Sequence, residues 1–111
     1  MRLYKHPLQG KHRFMGFKTN DTDISIAVAS VDELYDEDYH YHKESDEIYI
    51  TAEGQGTLEI ENKLYLLEPG KVIRVEKGEK HRVVSVDMSP FTVYALKVPD
   101  IVDDKVIINK K

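Results

Sequence analysis

Short runs of β-branched and apolar residues follow one another along the chain, most of them separated by glycine or proline. No window holds a sustained helical period. The runs are Ile24 to Val31, Asp38 to His42, Glu47 to Ala52, Gly56 to Ile60, Lys63 to Leu67, Val72 to Val75, His81 to Val86, Thr92 to Val98 and Lys105 to Ile108. Turn signals stand between them at Glu53-Gly54-Gln55, Glu61-Asn62, Glu68-Pro69-Gly70, Glu76-Lys77-Gly78 and Ser89-Pro90. This spacing predicts an all-β sandwich or barrel of about nine strands. Ser30 to Asp36 leaves room for one helical turn at most. Residues 1–20 read as an edge strand or a flexible arm.

A chain of 111 residues is one domain's worth, so residues 1–111 are taken as a single domain with its barrel core over about 22–108. There is no cysteine. That removes disulfides, thiolate nucleophiles and thiolate metal sites, and leaves nitrogen and oxygen ligands for any metal. The formal net charge of −4, with scattered Lys and Arg, argues against a nucleic-acid partner, whose binding rests on neutralising phosphates. No apolar run is long enough to span a membrane as a helix. The N-terminus has no secretion-signal pattern, so the expected location is the cytosol.

Chemistry concentrates in Tyr39-His40-Tyr41-His42. In a strand, side chains two apart share a face, so His40 and His42 project side by side and can converge on one ion. Glu47 opens the next run, and His81 opens a later one just after a glycine turn. Three neutral imidazoles and a carboxylate suit a divalent metal of intermediate softness, and a metal offsets the cost of burying the glutamate.

At these residues the chain resembles the cupin family. Its first motif, G-x5-H-x-H-x3,4-E-x6-G, is met by His40, His42, Glu47 and Gly54, with Leu34 in place of the opening glycine. Its second, G-x5-P-x-G-x2-H-x3-N, is met by Gly70, Gly78 and His81, with Glu76 for proline and Ser85 for asparagine. The resemblance implies a double-stranded β-helix, or jelly roll, closed into a small barrel. It also implies that His40, His42, Glu47 and His81 ligate one divalent metal: iron, manganese, zinc or nickel.

Tyr49, Thr51, Val83 and Ser85 are expected on the inward face with these ligands. Tyr49, Thr51 and Ser85 are the candidates to bind a small molecule there. Glu47 is the candidate catalytic group, able to leave the metal and act as a base. Lys97 reads as a solvated surface lysine. The acidic stretch Asp32-Glu33 and Asp36-Glu37-Asp38 reads as a solvated loop or, since it precedes the ligand strand, a pocket rim, and His6 and His12 read as surface residues. The family hosts dioxygenases, isomerases, epimerases and decarboxylases. The expected function is therefore a metal-dependent enzyme on a small molecule, dioxygenase-like or sugar-isomerase-like. The alternative is a non-catalytic sensor of a sugar or other small ligand. Ile48, Ile50 and Ala52 form a second apolar face opposite Glu47, Tyr49 and Thr51. Such a strand needs cover on both sides, which predicts a homodimer.

Overall fold

The computed structural model describes residues 2–5, 13–18, 25–31, 38–99 and 104–108, and all nine elements within them are strands. They are β1 (Arg2–Lys5), β2 (Arg13–Lys18), β3 (Ser25–Val31), β4 (His40–His42), β5 (Asp46–Ile60), β6 (Lys63–Leu67), β7 (Val72–Val75), β8 (His81–Val98) and β9 (Lys105–Ile107). Every pairing is antiparallel. Among the described residues no helix is long and apolar enough to cross a membrane. Leu34, Tyr35, most of the acidic stretch, His6 and His12 lie outside the described residues, as does most of the Ser30–Asp36 turn.

Two expected turns are instead points inside long strands. Glu53-Gly54-Gln55 does not separate two strands, because β5 runs through it for 15 residues. Ser89-Pro90 likewise lies within the 18 residues of β8. The reason is that β5 and β8 pair along their whole length and absorb the irregularity as bulges between Thr51 and Leu58. Gly54 has φ +74°, and a Cβ there would lie 2.2 Å from the Pro90 carbonyl oxygen and 2.4 Å from that of Met88. The backbones approach too closely for any other residue. Elsewhere the turn signals hold. Glu61 and Asn62 both have positive φ, as a two-residue hairpin loop between β5 and β6 requires.

The bulged β5–β8 ladder curls back on itself. Glu47 pairs with Lys97 at one end, and Ile60 pairs with His81 at the other. In a straight ladder Glu47 and Ile60 would stand roughly 43 Å apart at the strand rise, longer than the molecule's 36 Å long axis. Yet Glu47 touches His81 at 2.7 Å. One half of the ladder, flanked by β7 and β3, therefore faces the other half, flanked by β6 and β4. That is the jelly roll expected.

Between the halves lie Tyr49, Leu58, Ile60, Leu67, Val75, Val83, Phe91 and Val93, all buried. Tyr49 and Thr51 face inward as read from the alternation, and Ile50 and Ala52 face out. Val72, Ile50 and Tyr94 pair side by side across β7, β5 and β8 and leave an exposed apolar row.

Candidate metal centre

His40 and His81 are direct partners across β4 and β8, which brings their ring centroids within 4.3 Å. His42 lies two residues along the same strand, its ring 5.3 Å from that of His40 and 5.9 Å from that of His81. Glu47 reaches in from the opposite half of the roll. One ligand atom from each of the four lies within 4.8 Å of the other three. The three imidazoles are buried and the Glu47 side chain is nearly so.

The turn before His81 is tied directly to β4. Gly78, at φ +85°, donates its N–H to the His42 carbonyl at 2.8 Å. Glu76, where the motif has proline, uses the N–H a proline would lack: it donates to the Glu79 carboxylate at 2.8 Å. The departure from the motif thus closes the same turn by a side-chain bond.

Hydrogen bonds decide which nitrogens are available. Each Nδ1 sits against an acceptor that carries no proton. His40 Nδ1 is 2.7 Å from the Asp38 carbonyl, His81 Nδ1 is 2.9 Å from the Glu79 carbonyl, and His42 Nδ1 is 3.0 Å from the Asp104 carboxylate. Each Nδ1 is therefore the donor, which leaves every Nε2 bare in a neutral ring. But His42 Nε2 and His81 Nε2 stand 3.1 and 2.7 Å from Glu47 Oε1, another acceptor. A neutral imidazole cannot donate from both nitrogens. The arrangement requires positive charge between the rings and the carboxylate, either two added protons or one divalent cation. The residues present therefore fit a divalent metal.

The electrostatics agree. Burial opposes the charge on Glu47, but hydrogen bonds from His42 and His81 outweigh it and hold the carboxyl well below the usual range. Burial pushes His40 down to about 4, against a rise from its bond to Asp38, so His40 is a neutral ring at neutral pH. For His42, burial is outweighed by Glu47 and then Asp104, and its proton affinity rises.

Tyr49 donates weakly to Glu47 Oε1 at 3.4 Å, and its ring stands edge-on to His81. Thr51 is buried on the same inward face, and its Oγ1 has no hydrogen-bond partner among the described residues. Ser85 is placed otherwise than expected. Leu58 pairs with Val83 but Thr57 pairs with Ser85, so Val84 is an extra residue in β8 and the alternation flips. Val86 turns into the core instead. Ser85 joins Thr57 on Asp87 at the exposed face, donating at 2.8 Å. Lys97 is not a solvated lysine: its side chain is 20% exposed and its ammonium is 2.8 Å from Asp104.

Asp104 escaped sequence reasoning. It is fully buried, far along the chain from His42, and preceded by no motif. The available signal was Lys97 itself, on the inward face of β8 with Val93 and Ala95. A lysine at an inward strand position calls for a buried carboxylate partner.

A family model described as a cupin domain matches residues 32–97, more than half of the chain. No curated protein matches it in sequence. Solved structures match by shape. The nucleoside dehydratase Pac13 from Streptomyces, a form of which was solved with uridine, is 11% identical with a TM-score of 0.77, over 96% of this chain and 84% of that one. KdgF from Halomonas sp. is 18% identical with a TM-score of 0.73, over 86% and 87%. The capsular polysaccharide assembling protein CapF from Staphylococcus aureus is 18% identical with a TM-score of 0.77, over 99% of this chain but 32% of that longer one. The shared shape agrees with the fold, and the cupin-domain match over more than half of the chain shows that this chain belongs to the cupin family.

Proposed function

We propose that His40, His42, Glu47 and His81 hold one divalent metal ion, and that the chain is a metal-dependent enzyme acting on a small molecule. The observation that carries this reading is the set of three Nδ1 bonds. They leave every Nε2 bare, and those of His42 and His81 face Glu47 Oε1, where only a cation or added protons relieve the contact. When bound, the ion supplies Lewis-acid polarisation or, as iron or manganese, redox chemistry. With its proton affinity so lowered by His42 and His81, Glu47 is a poor base, which favours a ligand's role for it over general-base catalysis. Tyr49 and Thr51 supply hydroxyls on the inward face, and the Thr51 oxygen is without a partner among the described residues. A substrate rich in hydroxyl or carbonyl oxygen suits such a lining. Pac13, of similar shape, has been seen with uridine. Within this class the activity is dioxygenase-like or sugar-isomerase-like.

Metal content of protein purified without chelator or nickel resin tests this reading. About one iron or manganese per chain, with oxygen uptake on small oxygenated substrates, supports the dioxygenase-like form. One zinc per chain directs the search to isomerisation. No metal, even after reconstitution with iron, manganese, zinc and nickel, rules out a metalloenzyme and leaves a small-molecule-binding cupin.

The chain is also proposed to form a homodimer, supported by the exposed row Val72, Ile50 and Tyr94. Light scattering during size exclusion should give twice the chain mass, falling to the monomer in Ile50→Glu. A monomeric wild type would end that proposal.

A further inference from the structure

We infer that Asp104, held by Lys97, is a positioning residue that makes His42 the most electron-rich ligand of the set. The inference rests on the metal reading above and concerns residues outside both motifs. The three imidazoles are not equivalent. His40 and His81 are backed by peptide carbonyls, while His42 alone is backed by a carboxylate. An anionic acceptor draws on the Nδ1 proton more strongly and pushes electron density to Nε2.

The geometry around Asp104 serves that task. Its side chain is shielded from solvent, so an unpaired charge there would be costly. Lys97 at 2.8 Å and the Glu44 N–H at 3.3 Å offset it. The Asp104 carbonyl also accepts the Lys43 N–H at 3.0 Å. The residue thus grips by side chain and backbone the short Lys43-Glu44 link that carries His42 on one side and Glu47 on the other. Lys97 is itself the strand partner of Glu47. Asp104 keeps that ammonium beside a carboxylate.

Two roles follow for Asp104, to polarise His42 and to neutralise Lys97, and a charge-paired set of variants separates them. Cobalt(II) affinity is measured by chelator competition for wild type, Asp104→Asn, Lys97→Met and the double variant, with the visible cobalt spectrum of each. Asp104→Asn is expected to bind about 10–100-fold more weakly with a shifted spectrum. The double variant should stay weak, because removing Lys97 does not restore the anion behind His42. Recovery of wild-type affinity in the double variant, or an unshifted Asp104→Asn spectrum at unchanged affinity, overturns the inference. Nitrogen-15 imidazole spectra of the intact wild type test it without any variant: the His42 Nδ1 proton should lie furthest downfield of the three, and equal positions refute it. Wild type that takes up no cobalt refutes the metal reading itself, and this inference with it.

Discussion

Leu58, Leu67, Phe91 and Val75 at the middle of the roll are as dry as His81, Asp104 and Ser45 at its candidate metal end, yet the two regions are held by different physics. In the middle, stability grows with the apolar area removed from water, and no partner has to be found. At the metal end each buried polar atom needs a specific partner, and the partners come from β4, β5, β8 and the segment before β9. Burial of that kind adds little stability for its cost. Its presence in so small a domain is what the proposed metal site calls for.

The sharpest way to separate the regions is to damage one and read the other. Leu58→Ala should cost about 2–5 kcal/mol through the cavity it leaves. Urea titration measures that loss, and the metal stoichiometry of the folded fraction should not change. A changed stoichiometry would mean the two regions are mechanically one.

Acid should act mainly on the metal end. His40 falls from 6.5 to about 4 on folding, so the unfolded chain binds the extra proton first. In metal-free protein, stability from this group is present above about pH 6.5 and is lost as the pH falls towards 4, on the order of 3 kcal/mol in all. His42 shifts the other way, so its contribution is present below about pH 6.5 and fades at higher pH, outside this window. Thermal melts against pH should therefore show a falling limb between 6.5 and 4 that His40→Gln removes. A limb that persists in the variant would place its origin elsewhere.

The smallest effect is expected at Ser85. Turned to the exposed face with Thr57 and Asp87, Ser85→Ala should leave metal affinity unchanged and shift stability by less than about 0.5 kcal/mol. A large loss of metal or ligand affinity would return Ser85 to the site.

The contrast also explains which features were legible in the sequence. His40, His42, Glu47 and His81 were legible because strand alternation and fixed spacing put chemistry into a local pattern. The inward set Tyr49 and Thr51 was legible for the same reason. Ser85 was not, because one extra residue at Val84 flips the face and nothing nearby in the chain announces a bulge. The continuity of β5 and β8 was hidden as well. Gly54 and Pro90 carry turn chemistry, and only their mutual approach in the folded ladder shows that they serve a bulge. Asp104 was hidden by distance along the chain, since its partners lie on strands it meets only after folding.

The central claim is that four residues converge on one divalent ion, and a zinc titration of chelator-treated protein tests it most directly. Wild type should bind one zinc per chain, and the His40→Ala, His81→Ala double variant, still folded by circular dichroism, should bind none at the same concentration. Zinc binding that survives in the double variant, or a wild type that binds none, would contradict the account.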